Sequence, residues 1–316
     1  MRIAVIGLGL IGGSVLRAFA RAGCDVSGFD ADPRVRDAVA EAGFEVTDRD
    51  GCAAADVLVL AIPAPHLPSL LPSLSDFPGI VTDVTSVKTP VADAMKRYCP
   101  AVRYVGGHPM AGKEVSGFAA SDASLFDGRA WALCLGEEVS RAQELDDWVT
   151  LADLLCRMGV RVVPTTAARH DDAVARISHL PHLLAAALTR TAAEPQALTL
   201  AAGSFSDGTR VAASDPYLVS AMCSANAEAL HDALDDCLAM LDEARRKLTA
   251  SRQDLAEWLT PASTARRAWP PRAGTSHTDA VTRDKILHIG VVGGWVESVH
   301  DGRAEILWRV PGDSLP

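Results

Sequence analysis

The residues of this chain best placed to do chemistry are a histidine and an arginine in glycine-rich stretches and a carboxylate at a strand end. His108 sits in GGHPMAGKE, residues 106–114. An imidazole titrates near neutral pH, so it can take up a proton and return it. Arg210 closes GSFSDGTR, residues 203–210, and its planar guanidinium matches the two oxygens of a carboxylate. Asp30 follows the strand-like run DVSGF, residues 25–29. Beyond a glycine turn, that is where a carboxylate can accept hydrogen bonds from ribose hydroxyls. A lone loop histidine is ordinarily just a solvated or backbone-bonded ring, so its neighbours decide what it means.

The elements that must position these groups begin at the first residues. Residues 2–6 are a short β-branched apolar run, followed by GLGLIGGS at Gly7–Ser14 and then by helical spacing to Ala22. Gly7 serves the tight turn, Gly9 lets the backbone approach a pyrophosphate, and Gly12 allows close helix packing. Leu10 and Ile11 open the helix whose N-terminus would seat the anion. Asp30 favours NAD over NADP, because a 2'-phosphate beside a carboxylate is repelled. Arg34 or Arg36 could instead reach such a phosphate, and both also read as solvated helix charges.

Near-continuous apolar runs at residues 55–62 and 79–84 read as buried parallel strands. A further strand is expected at 102–105. The second of these runs leads into TSVK, residues 85–88, and ligands of open α/β sheets bind at such carboxyl ends. Ser86, His108 and the glycine turn are therefore expected around one crevice, with His108 in a loop. A strand at 130–135, a helix at 143–158 and a strand at 161–164 complete an α/β domain, residues 1–164.

Residues 165–259 read as helical. Ser178 and His182 stand four apart and share a helix face, while Pro181 lacks an N–H and should distort the preceding turn. His170, His179 and His182 show no zinc-type spacing, so no metal site is expected. His179 alone reads as a core or helix-interface histidine. Residues 203–210 read as a polar break, in which Asp207 could pair with Arg210. Ser214-Asp215-Pro216 reads as a cap opening one long helix to about Leu248. Leu230, Leu234, Leu238 and Leu241 recur at helical spacing, as in a bundle or dimer seam. Residues 260–276 read as a linker, and runs at 285–292, 295–299 and 303–310 as short strands, the last two a hairpin. The tail, 260–316, has no role assigned from these patterns. The fold class is thus α/β: a Rossmann-type dinucleotide-binding domain, a helical domain and a short β-rich tail.

A net charge of -10 and a pI near 5.3 argue against a nucleic-acid surface. The partner expected is a small anionic molecule held by a few local cations. The 7 cysteines form no CxxC pair, which suits free thiols in a reducing cytoplasm. The chain starts directly on a strand, without a charged leader, and has no run of membrane-spanning length, so a soluble cytoplasmic protein is expected.

Taken in order, GLGLIGGS (7–14), DVTSVK (83–88), GGHPMAGKE (106–114), SHLPH (178–182) and DGTRVAASDP (207–216) resemble the prephenate dehydrogenase family of tyrosine biosynthesis. The resemblance spans residues 1 to about 250. It implies NAD-dependent oxidative decarboxylation of prephenate to 4-hydroxyphenylpyruvate. His108 then accepts the proton of the ring 4-hydroxyl, and Ser86 orients the imidazole or the hydroxyl. By the same resemblance Arg210 holds a carboxylate, steadied by Asp207, while Ser178 and His182 line the pocket and Glu114 stands at its mouth. It implies a homodimer through the helical half. Related substrates, L-arogenate or 4-amino-4-deoxyprephenate, are the nearest alternative. An NAD-binding sensor without chemistry is the alternative of another class. Ser206 stands where many relatives carry a basic residue, and the tail does not match the regulatory ACT domain of some relatives.

Overall fold

In a computed structural model the structure describes residues 1–113, 115–136, 143–303 and 305–311. Glu114 lies outside the described residues. One compact unit runs to His170 and takes in the described residues from Ala273 onward; the other begins at Asp171 and ends at Arg272.

In the first unit, β1 (Arg2–Ile6), β2 (Asp25–Phe29), β3 (Glu45–Val46), β4 (Val57–Leu60), β5 (Ile80–Asp83) and β6 (Arg103–Val105) form a parallel sheet in the order β3-β2-β1-β4-β5-β6. The order reverses between β1 and β4, and at such a switch point a crevice opens beyond the carboxyl ends of the strands. The apolar runs of β1 and β4 are continuous because both faces are covered. Ile3, Val5, Val57 and Val59 belong to one core cluster, whereas Ala4, Ile6, Leu58 and Leu60 belong to another. Side chains alternate across the pleat, so every residue of such a strand must be apolar.

The chain leaves the first sheet at Val105 and enters a second at β7 (Gly107–Pro109), which pairs antiparallel with β8 (Ala130–Cys134). That strand runs parallel to β9 (Arg161–Thr165). The helix Glu144–Arg157 lies between them in sequence and puts Trp148, Leu151 and Leu155 into the same core cluster as Ile3 and Val5. Its Trp148 indole donates to the carbonyl of Leu133 at 3.1 Å.

The end of the chain completes this second sheet. With β10 (Ala273–Ala280), β11 (Trp295–His300) and β12 (Glu305–Pro311), its order is β10-β12-β11-β9-β8-β7. Of the segment expected as a tail, 260–316, the described residues from Ala273 onward thus belong to the α/β unit, whereas those up to Arg272 belong to the other. Residues 285–292, expected as a strand, instead fall largely in the helix Arg283–Val291. Thr282 caps it, accepting from the Lys285 N–H at 3.3 Å, and Ile286 and Ile289 share its one buried face.

The second unit is helical, comprising Leu180–Thr191, Pro195–Thr199, Gly203–Thr209, Pro216–Ala225, Ala227–Leu248 and Arg252–Ala268. Ala175, Leu180, Leu230 and Ala233 form its core cluster. Three expectations are corrected here. The long helix is broken at Asn226, whose φ of -123° and ψ of 34° leave the helical region while its side chain is drawn inward. Residues 203–209 are a helix rather than a break, since one internal glycine only weakens a helix. The supposed linker at 260–276 continues the preceding helix to Ala268 with Pro261 inside it; a proline can kink a helix without ending it. Among the described residues, no helix is long and apolar enough to cross a membrane.

Candidate active site

The glycine turn has the geometry a dinucleotide needs. Gly7 has φ of +93°, and a Cβ there would lie 2.5 Å from the carbonyl oxygen of Ala61, so only glycine makes this turn without strain. A Cβ on Gly12 would lie 1.8 Å from the carbonyl oxygen of Gly7, which is what close helix packing requires. Around Gly9, by contrast, a Cβ would meet nothing within 4 Å, so the backbone stands open to an approaching group. The helix Leu10–Arg21 begins there, with Leu10 and Ile11 in its first turn. Its unpaired N–H groups suit a pyrophosphate.

Asp30 is half-buried beyond β2. One carboxylate oxygen accepts from the Leu8 N–H at 2.7 Å and the other from the Asp32 N–H at 2.9 Å. A carboxylate has about four lone-pair sites, so it keeps capacity for ribose hydroxyls while steadying the turn. Arg34 forks onto Asp32, donating at 3.2 and 2.9 Å, and holds that carboxyl below its ordinary range. Arg36 donates to the carbonyls of Asp30 and Ala31 at 2.6 and 3.1 Å. Both arginines thus have local acceptors, and these residues fit NAD.

At the carboxyl end of β5 lies a charged group that the sequence reading passed over. Lys88 and Asp83 are buried, at 1% and 0% exposure, and form an ion pair. The ammonium also donates to the Thr85 hydroxyl at 3.0 Å and to the Gly107 carbonyl at 2.6 Å, while the Tyr104 hydroxyl donates to the other Asp83 oxygen at 2.6 Å. A buried charge needs such complete pairing. Its consequence is positional, because the Gly107 carbonyl immediately precedes His108. Gly107 itself must be glycine: a Cβ would lie 2.8 Å from the Asp83 carbonyl oxygen. The signal in the sequence was the spacing of Asp83, Thr85 and Lys88 at a strand end.

His108 is therefore on a strand, not in a loop, and its register partner is Ala132 on β8. The three-residue strand is too short for a periodicity to reveal it. The Nδ1 atom of His108 lies 2.9 Å from Nε2 of His170, with the rings edge-on at 71°. His170 is 4% exposed and sits in the helix Ala167–Val174, just after β9. It belongs to the first unit, although the helical half is expected from residue 165. Ser86 is half-buried in the turn between Asp83 and Lys88.

The remaining residues belong to the second unit. Ala175–His179 forms a π-helical turn immediately before the helix that Pro181 opens, the distortion expected of a missing N–H. Ser178 and His182 are half-buried on either side of that transition. His179 is buried and meets the Asn226 amide nitrogen at 3.2 Å; the same nitrogen donates to the Asp171 carbonyl at 2.7 Å. That second bond identifies the nitrogen as the amide's NH2, so His179 Nδ1 is the acceptor. Asp207 ends near the C-terminus of Gly203–Thr209, and Arg210 opens the 3-10 turn Arg210–Ala213; both are exposed. Among the described residues no group of three or more His, Cys, Asp or Glu side chains could hold a metal ion.

A parallel sheet with its switch point at a glycine turn, a carboxylate beyond β2 and an imidazole on the adjoining sheet is the arrangement of an NAD-dependent oxidoreductase. Two family models match this chain: "Prephenate dehydrogenase, nucleotide-binding domain" over residues 15–164, and "Prephenate dehydrogenase, dimerization domain" over residues 166–260. The chain belongs to the prephenate dehydrogenase family. It is 33% identical over 269 residues to the cyclohexadienyl dehydrogenase of Zymomonas mobilis, covering 80% of this chain and 90% of that one. A solved Corynebacterium glutamicum chain, provisionally named as a prephenate dehydrogenase, is similar with a TM-score of 0.82 at 35% identity, covering 92% of this chain and 97% of that one. The prephenate dehydrogenase of Aquifex aeolicus, solved with hydroxyphenyl propionate and NAD+, is similar with a TM-score of 0.74 at 26% identity, covering 84% and 97%.

Proposed function

We propose that this chain oxidises prephenate with NAD, releasing CO2 and leaving 4-hydroxyphenylpyruvate, with His108 as the acid/base. The observation that carries the reading is the placing of His108: its strand is held by the Lys88 ammonium through Gly107, and its Nδ1 is committed to His170. Base function then falls to Nε2. NAD, when bound, accepts the hydride from ring C4.

His108 takes the proton of the 4-hydroxyl as that carbon is oxidised. The C1–carboxylate bond breaks, its electron pair enters the ring, and the former hydroxyl oxygen becomes a phenolate. His108 returns the proton to it, so hydride and CO2 are the net losses and charge balances. Ser86 orients the hydroxyl or the imidazole. From the helical unit, Arg210 holds a substrate carboxylate with Asp207 as its neighbour, and Ser178 and His182 supply polar contacts. Glu114 is assigned the pocket mouth. The substrate is thus a small dicarboxylate, which a few local cations can recognise on an acidic protein.

The reading includes a homodimer through the helical unit. Its support is the family model's description and the outer part of the helix Ala227–Leu248, where Leu238, Leu241 and Leu248 are 51%, 50% and 70% exposed. The setting proposed is the cytoplasm, where the cysteines remain thiols. Burial pushes the Cys52 thiol up to about 11, an inert group rather than a reactive one.

The test is NADH formation by the purified protein with prephenate, L-arogenate and 4-amino-4-deoxyprephenate in parallel. Prephenate is expected to give the highest kcat/KM. A higher value for either analogue moves the substrate assignment to that compound. NADH binding without turnover of any of the three contradicts the enzyme reading and favours a sensor.

A further inference from the structure

We propose that His170 is a positioning residue for the reaction, setting the tautomer of His108; the inference rests on the reading of His108 as acid/base. Two neutral imidazoles that meet nitrogen to nitrogen at 2.9 Å share one proton. Either His108 Nδ1 donates to His170 Nε2, or the reverse. Only the first arrangement leaves His108 Nε2 with a lone pair, the form a general base requires. Free histidine in water prefers the opposite tautomer, with its proton on Nε2. The protein must therefore reverse an intrinsic preference, and a fixed acceptor at Nδ1 does so.

His170 serves as that acceptor when its own ring proton sits on Nδ1. It is buried, and its helix is anchored at the end of β9, where the His170 N–H donates to the Thr166 carbonyl at 2.9 Å and the Arg169 N–H to the Thr166 hydroxyl at 3.3 Å. The strand β9 pairs with β8, and β8 with β7, so hydrogen-bonded ladders connect the strand of His108 to the strand that leads into the helix of His170: His108 is opposite Ala132, which is opposite Val163. The 71° interplanar angle lets a ring N–H of one histidine point toward the other ring's nitrogen rather than lie flat against its face. When His108 takes the substrate proton at Nε2, its Nδ1–H bond to His170 becomes charge-assisted and stronger. The help thus grows with the charge the reaction creates on His108.

The experiment is nitrogen NMR on the full chain labelled with [15N]histidine, at a pH where both rings are neutral. The His108 signals are identified by their loss in His108→Asn. The wild type is expected to show His108 protonated at Nδ1 and bare at Nε2, and His170→Phe is expected to shift it toward the Nε2–H form. A wild-type His108 protonated at Nε2 overturns the proposal, whatever the kinetics show. His170→Phe should lower kcat about 10- to 100-fold with the KM for NAD and for prephenate within about twofold, and His170→Gln, whose amide oxygen can accept from Nδ1, should recover most of it. Equal kcat in wild type and His170→Phe also overturns it. If His108→Asn proves fully active, the acid/base reading fails, while the NMR still reports whether His170 sets the tautomer.

Discussion

His108 and His179 are both partnered at Nδ1, yet their partners suit them to different work. His179 is buried against the Asn226 amide, which can only donate to it. Protonating that nitrogen would set N–H against N–H in the core, so the contact holds His179 neutral at Nδ1 and ties two helical segments together. His108 is half-buried and faces another imidazole, which can accept as well as donate. A histidine can do acid/base work when its partner tolerates its charged form, and it becomes a structural pin when the partner does not. The lesson extends to the surroundings: the Asp83–Lys88 pair fixes the backbone before His108 through the Gly107 carbonyl, whereas Asn226 lies at a helix break.

The largest effect that can sharpen this contrast is Lys88→Met. Removing one member of a buried ion pair leaves Asp83 uncompensated, and a loss of about 3–5 kcal/mol in urea unfolding is expected, together with reduced turnover. A loss under about 1 kcal/mol would show that the pair does not hold the strand of His108. Tyr104→Phe takes one hydrogen bond from the same carboxylate and should cost about 1.5–3 kcal/mol. His179→Leu should cost about 1–3 kcal/mol, because Asn226 loses an acceptor, while kcat at 25 °C stays within about twofold of wild type. A large fall in kcat with prephenate saturating would erase the distinction between the two histidines.

The parts of this picture legible in the sequence are those set by local chemistry. The strand, glycine turn and helix at residues 2–21 follow from apolar runs and from conformations that only glycine adopts easily. The π turn before Pro181 follows from a missing N–H. What was hidden depends on contacts distant in sequence. His108 and His170 are separated by 62 positions, and nothing near either announces the other. The strand Gly107–Pro109 exists because β8 pairs with it, not because three residues have a strand pattern. Residues 283–291 fold as a helix because Ile286 and Ile289 find one buried face, although the same apolar run also reads as a strand. The candidate residues of the helical unit, Ser178, His182, Asp207 and Arg210, follow from residue type and helical spacing and then from the motif resemblance, and Arg210 and Asp207 stand exposed in that unit.

The central claim is that His108 moves the substrate proton. Its most direct test is steady-state NADH formation from prephenate by wild type and His108→Asn, with NAD affinity measured on both by titration. The account predicts turnover by the wild type and a fall in kcat of about 10²- to 10⁴-fold in the variant, with NAD affinity unchanged. Wild-type turnover by His108→Asn would contradict it.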